Sequence, residues 1–249
     1  MTSQVEKGKR ILADLHGNAS LVPEEYREWW QTYLKSHTNH YLNILSLLED
    51  VPSGAGILEV GSSPAHCTVL LKQLGYHVTG LDIDPVFISD LCRNYGIDIL
   101  HMDVEQEPIL RDENSFDAVL FTEVFEHLRI DPVHALREIH RVLKPGGTLV
   151  FSIPNITPVH RIRFLFGRDY QDSPVRLYEK LQRCGRCGHF RMYSRSEASG
   201  ILEYTGFYIQ KIVRKGKLPK RIWKTVAMMS GPFQDRFRSH LYFLCKKPV

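Results

Sequence analysis

Between Ile57 and Ile153 the chain alternates short apolar runs with segments of helical periodicity, and that alternation leaves few folds open. Apolar runs fall at Ile57–Val60, His77–Leu81, Ile97–His101, Phe116–Thr122 and Thr148–Ile153, with helical patterns at Cys67–Leu74, Pro85–Asn94 and Pro132–Leu143 between them. The run Phe116–Thr122 is apolar at nearly every position, as expected of a strand covered on both faces. Strands joined through helices assemble into a parallel sheet with right-handed crossovers. Further on, Ser196–Tyr204 reads as a helix ending at Gly206, and Phe207–Val213 and His240–Cys245 read as two more strands. Upstream, residues 21–50 are helical in pattern. Pro23 followed by Glu24, Glu25 and Glu28 suits a helix start, and Tyr41 to Leu48 carries the apolar spacing that ends before Pro52. The predicted organisation is an N-terminal helical cap over residues 1–50 and an α/β domain over 51–249, with an insert at 155–195 and a basic segment at 214–240.

Bulk properties narrow the setting. The 249 residues, 43% hydrophobic and 24% charged, are ordinary for a globular chain. No apolar run reaches the length of a transmembrane segment, and Lys7, Lys9 and Arg10 are not followed by the apolar core of a signal peptide. Five cysteines, an odd number, fit reduced thiols and a cytoplasmic location. The net charge of +4 conceals an asymmetry: residues 1–154 hold 12 Lys/Arg against 22 Asp/Glu, and residues 155–249 hold 20 against 6. A basic half implies either an anionic partner (a phosphorylated substrate, nucleic acid or an acidic membrane face) or a merely solvated surface.

The first strand runs into Gly61, which permits a tight turn and close approach of a ligand to the backbone, and the second ends in Asp82, 21 residues further on. In dinucleotide-binding folds an acid at about 20 residues accepts hydrogen bonds from ribose hydroxyls. The segments ILEVGSSPA, VTGLDIDP, MDVE, NSFDAVLFTEVFEHL and LREIHRVLKPGGTLVFSIPN resemble the successive motifs of class I S-adenosylmethionine-dependent methyltransferases. The resemblance spans roughly residues 55–155 and echoes at Arg195–Phe207. It implies a Rossmann-like, doubly wound, mostly parallel seven-stranded sheet with an antiparallel last strand, and S-adenosyl-L-methionine as cofactor. Glu59, Gly61 and Ser62 would line the methionine end, Asp82 the ribose, Ile83 and Asp103 with Val104 the adenine, and Thr122 the region of the transferred methyl. The first turn departs from the family in reading Gly61-Ser62-Ser63-Pro64-Ala65 rather than a glycine-rich loop.

After the fourth strand comes Glu123-Val124-Phe125-Glu126-His127. If this segment turns as a helix, Glu123, Glu126 and His127 share one face and form a divalent-metal site whose carboxylates favour Mg or Mn. The cluster resembles two metal-dependent groups, the ubiquinone-biosynthesis O-methyltransferases and the enzymes that methylate the 2′-hydroxyl at small-RNA 3′ ends. The latter implies a fourth ligand about 60 residues on, and His189 lies 62 residues after His127. Without a metal, His127 or His189 is the general base, with Glu126 beside them as the other catalytic candidate. Cys184 and Cys187 have half the spacing of a zinc site, and no second pair completes it.

The insert carries His160, Arg161, Arg163, Arg168, Tyr170 and Arg176, and is expected to cover the acceptor. The segment 216–233 mixes cations with Leu218, Ile222, Trp223 and Phe233, so it reads either as an amphipathic helix for peripheral contact with an anionic membrane or as a core helix with a wet face. Three functions remain open: an O-methyltransferase acting on a small molecule or glycan, an RNA ribose 2′-O-methyltransferase, and a non-catalytic cofactor-binding subunit of another methyltransferase.

Overall fold

The structure, a computed structural model, describes residues 3–85, 88–167, 173, 175, 176, 178, 179, 182, 188–216, 218 and 235–249. Cys184 and Cys187, and nearly all of the basic segment 216–233, lie outside the described residues. Two helices open the chain, α1 (Ser3–Leu15) and α2 (Glu24–Leu45). The alternating region then gives β1 (Gly56–Val60), α3 (His66–Gln73), β2 (His77–Asp82), α4 (Ser89–Asn94), β3 (Asp98–His101), β4 (Phe116–Thr122), α5 (Pro132–Val142) and β5 (Leu143–Pro154). α6 (Pro158–Leu165), α7 (Arg195–Tyr204), β6 (Tyr208–Lys215) and β7 (His240–Lys246) complete it.

The seven strands form one sheet in the order β3-β2-β1-β4-β5-β7-β6. β1 to β5 pair in parallel, and β7 runs antiparallel to both β5 and β6. The fold class expected from the sequence is therefore the one observed. Because the chain winds outward from β1 to β3 and then returns to β4, the strand order reverses between β1 and β4. In open α/β sheets the carboxyl ends of the strands at such a reversal are where ligands bind.

Period-two alternation sorts the strand side chains into two layers. Ile57, Ala118, Leu120, Val150 and Tyr242 face a core shared with α1, α2 and α3, whereas Leu58, Val119, Phe121, Leu149 and Phe151 face one shared with α5 and α7. Trp30, Leu34, Ile44 and Leu45 of α2 are buried in the first layer, so the N-terminal helices are built into the sheet's own core. α7 is fixed by a capping box: Ser194 Oγ accepts from the Glu197 amide at 3.3 Å, and Glu197 Oε2 accepts from the Ser194 amide at 2.8 Å.

Two local expectations are corrected. The fifth strand begins earlier than the expected Thr148–Ile153. β5 begins at Leu143, and its pairing with β4 shifts register between Phe116 and Ala118, where Gly146 has φ +74°. Likewise, the segment after β4 does not continue as an α-helix. Glu123 takes φ +56°, and only a 3-10 turn at Phe125–His127 follows.

Candidate active site

Gly61 sits at the carboxyl end of β1 with φ +77°, a conformation that L side chains adopt only at a cost. A Cβ there would also run into Val124 Cγ2, so the β1 and β4 loops approach as closely as they do only because position 61 is glycine. Its amide and that of Ser62 donate to Leu81 O at 2.8 and 3.0 Å, tying the turn to β2. The departure from a glycine-rich loop is accommodated at Ala65, which takes φ +67°, and by helix α2, whose Trp30 Nε1 donates to Pro64 O at 2.9 Å in the buried core.

Around this turn the polar side chains are poised. Glu59 is buried and accepts from Thr68 Oγ1 at 2.6 Å. Burial pushes its pKa up to about 7, with Asp82 adding to the rise and hydrogen bonds from Thr68 and Cys67 opposing it. Asp82 accepts from the Ser63 amide at 2.8 Å and the Asp84 amide at 3.0 Å, and each carboxylate oxygen keeps further capacity to accept. Ile83, beside it, is 60% exposed, an apolar surface suited to covering by a flat ring. Asp103 accepts from the Glu105 amide and from Gln106 Nε2, Val104 is buried behind it, and Thr122 is half-buried at the end of β4. Ser62 Oγ and Ser63 Oγ are buried without a hydrogen-bond partner. Orphaned hydroxyls, a glycine cradle and a buried carboxylate fit the polar methionyl end of S-adenosylmethionine, and Asp82 with Ile83 fits its nucleoside.

Beyond the end of β4 the structure brings together Glu126, His127 and His189, whose ligand atoms lie within 4.8 Å of one another. The 3-10 turn directs Glu126 inward, where it is 1% exposed and neither carboxylate oxygen has a hydrogen-bond partner. Burial raises its pKa well above the ordinary carboxylate value, and nearby Glu123 adds to the rise. His127 Nδ1 lies 3.2 Å from Gly188 O. A carbonyl can only accept, so Nδ1 carries the proton and the lone pair falls on Nε2. His189 arrives from far along the chain because the amides of Phe190 and Arg191 donate to Glu126 O at 2.7 and 3.2 Å. Tyr193 anchors the same turn by packing on Phe125, with ring centroids 4.6 Å apart. His189 Nε2 is then 3.8 Å from Glu126 Oε1.

Glu123 is not part of this cluster, contrary to the helical reading of the segment. Its left-handed backbone turns the side chain toward β5 and β7, where Ser152 Oγ donates to Oε1 at 2.8 Å and His240 Nε2 lies 3.3 Å from Oε2. Burial alone would raise its pKa, but His240, His40 and Ser152 together bring it below the usual value. The two carboxylates are thus driven apart, Glu123 toward ionisation and Glu126 toward protonation.

Sequence reasoning missed the contribution of α2. Tyr33 and His37 stack at 3.7 Å, and His40 Nδ1 lies 2.6 Å from Tyr242 OH. Burial, then the charges of Glu123 and Glu126, push the Tyr33 phenol up to about 12, so it remains protonated. The signal was present, since Trp30, Tyr33, His37 and Tyr41 recur at helical spacing. Glu105 was missed too. Its carboxylate accepts from the amides of Arg129, Ile130 and Asp131 at 2.7–3.0 Å and so fixes the loop that follows His127.

Residues 58–151 match the family described as a methyltransferase domain. The chain is 28% identical over 150 residues to the ubiquinone biosynthesis O-methyltransferase of Pseudomonas entomophila, covering 57% of this chain and 64% of that protein. To the enzyme of that name from Xanthomonas oryzae it is 30% identical over 153 residues, covering 57% and 62%. It spans between 54% and 64% of the length of the first curated relatives. Among solved structures, an S-adenosylmethionine-dependent methyltransferase from Mesorhizobium loti superposes with a TM-score of 0.59 at 17% identity, over 85% of this chain and 97% of that one. The 1,6-didemethyltoxoflavin-N1-methyltransferase of Burkholderia thailandensis superposes with a TM-score of 0.54 at 16% identity, over 91% of each. Residues 58–151 thus carry a methyltransferase domain similar to those of class I S-adenosylmethionine-dependent methyltransferases.

Proposed function

We propose that this protein transfers the methyl group of S-adenosylmethionine to a hydroxyl of a small molecule or glycan, with a divalent cation, Mg or Mn, held by Glu126, His127 and His189. The observation that carries the reading is Glu126: a carboxylate 1% exposed, with neither oxygen hydrogen-bonded, beside two imidazoles. A buried carboxylate without partners is costly unless a cation or a ligand proton completes it. A divalent cation bound there would lower the pKa of an acceptor hydroxyl and fix its oxygen in place. The similarity to O-methyltransferases of ubiquinone biosynthesis supports oxygen as the acceptor atom.

The chemistry balances simply. The acceptor oxygen forms a bond to the methyl carbon as the carbon–sulfur bond breaks, and the sulfonium becomes the neutral thioether of S-adenosylhomocysteine. With a cation held by the two imidazoles, the hydroxyl it acidifies would lose its proton to solvent; without one, Nε2 of His127 or an imidazole nitrogen of His189 accepts that proton. Asp82, Ile83 and the 61–65 turn hold the sulfonium in line, and this positioning supplies much of the acceleration.

The test is methyl transfer to a panel of vicinal diols and catechols, with EDTA, Mg or Mn. Turnover that needs Mg or Mn, and that falls at least a hundredfold in Glu126→Gln and His189→Ala, supports the reading. Full turnover in EDTA removes the metal and leaves the imidazoles as base. Tight S-adenosylhomocysteine binding with no transfer to any acceptor, on a sample retaining its fold, points instead to a cofactor-binding partner subunit.

A further inference from the structure

Among the described residues, six buried side-chain nitrogen and oxygen atoms have no hydrogen-bond partner. Two belong to Glu126, and three, Ser62 Oγ, Ser63 Oγ and His66 Nε2, fall within five consecutive residues where β1 turns into α3. His66 opens α3 and is fully buried, so its ring cannot look to water for what it lacks. Helix α2 fixes that ring. It packs on Trp30 with centroids 4.4 Å apart, and Nδ1 lies 3.1 Å from Tyr41 OH. Trp30 is also the side chain that holds Pro64 O in the same turn.

The Tyr41 contact decides which ring nitrogen carries the proton. Burial, then the charge of His37, holds the His66 pKa down to about 3, so the imidazole is neutral. One of its nitrogens donates and the other accepts. If Nδ1 donated, the buried Tyr41 phenol would keep an unused proton and Nε2 an unused lone pair. If Tyr41 donates to Nδ1, the Nε2 proton alone is stranded, which is the less costly arrangement. Nε2 is therefore a donor. A buried N–H without an acceptor costs stability until a ligand supplies one.

The ligand group follows from the donors. The hydroxyls of Ser62 and Ser63 can donate alongside Nε2, and all three stand at the start of a helix, whose positive end favours an anion. Residues 51–71 contain no Lys or Arg, so this segment offers an anion hydrogen bonds and no opposite charge. A carboxylate, with two oxygens and about four lone pairs, can take all three. Glu59, buried at the end of β1, offers the complementary group for a cation on the same ligand.

We propose that His66, with Ser62 and Ser63, binds the carboxylate of the cofactor's methionine moiety, while Glu59 meets its ammonium. This binding role rests on the 61–65 turn being the cofactor site; it is independent of the acceptor and of any metal.

The experiment is calorimetric titration of the full chain with three ligands. These are S-adenosylhomocysteine, its decarboxylated analogue, which keeps the amine, and 5′-methylthioadenosine, which lacks both groups. The parent protein should bind S-adenosylhomocysteine at least tenfold more tightly than the decarboxylated analogue. His66→Phe keeps a ring against Trp30 and removes the donor. It should weaken S-adenosylhomocysteine about tenfold, the worth of one charge-assisted hydrogen bond, and leave the other two ligands within about threefold. His66→Gln restores an N–H donor and should recover part of the loss, which a purely structural role would not predict. Ser63→Ala, a far smaller change, should show the same selective loss and serves as the test if His66→Phe unfolds. Equal weakening of all three ligands in His66→Phe overturns the proposal and makes His66 a packing residue. So does equal binding of S-adenosylhomocysteine and its decarboxylated analogue by the parent protein. Failure of all three ligands to bind the folded protein sinks the cofactor reading itself, and the proposal with it.

Discussion

At the scale of single residues, two positions at the carboxyl end of β1 bear on the proposed cofactor site. Gly61 combines a positive φ with contact against Val124. Gly61→Ala therefore adds backbone strain and overpacking together, about 2–4 kcal/mol, and should lower Tm by roughly 5–15 °C while weakening S-adenosylhomocysteine binding. An unchanged Tm would show that the β1 and β4 loops part easily. Glu59 gives a pH prediction. Its pKa is near 7 in the folded protein against 4.5 ordinarily. Between these values the folded protein holds a proton that the unfolded chain has released, so stability without cofactor falls as pH rises through that window, by about 3 kcal/mol. Glu59→Gln should flatten that slope. Binding of the cationic amino group of S-adenosylhomocysteine near pH 6 should release a proton, readable by calorimetry in two buffers of different ionisation enthalpy. Equal heats in both buffers would mean that Glu59 does not meet the ligand's charge.

At the scale of elements, helix α2 and the loop after His127 decide the site's geometry. α2 holds the 61–65 turn through the hydrogen bond from Trp30 to Pro64 O. Trp30→Phe keeps most of the buried ring but orphans that carbonyl, a cost of about 1–3 kcal/mol, and should weaken S-adenosylhomocysteine binding at least threefold. Binding unaffected by this change would make α2 a passive lid. Glu105 satisfies three successive amides from Arg129 to Asp131. Glu105→Ala leaves them unpaired and should cost about 3–5 kcal/mol, with a loss of turnover beyond the loss of folded protein, as His127 moves with the loop. The elements themselves were legible in the sequence because strand and helix periodicity are local properties. The 3-10 turn at Phe125 was not, because a single left-handed residue, Glu123, redirects the chain, and nothing in the pattern of side chains marks a non-glycine residue for that conformation.

At the scale of the whole molecule, the N-terminal helices share a core with the sheet and with α3, which follows the 61–65 turn. Ligand binding should therefore register as global stability. At a hundredfold excess over Kd, S-adenosylhomocysteine should add about 2.7 kcal/mol and raise Tm by roughly 5–10 °C, as measured by differential scanning fluorimetry. No shift at millimolar ligand would count against the cofactor itself. No helix among the described residues is long and apolar enough to cross a membrane.

The sequence by itself determined the parallel sheet, its order of strands and helices, the Gly61 turn and the Asp82 strand end, because each is written in short-range periodicity and in residues with unusual backbone freedom. Only the tertiary structure decided which acids and imidazoles meet. His189 reaches Glu126 through two backbone hydrogen bonds at the residues that follow it, and Glu123 leaves for His240 across two strands. Such contacts depend on how far-separated segments pack, and one dihedral at position 123 is enough to exchange one set of partners for another.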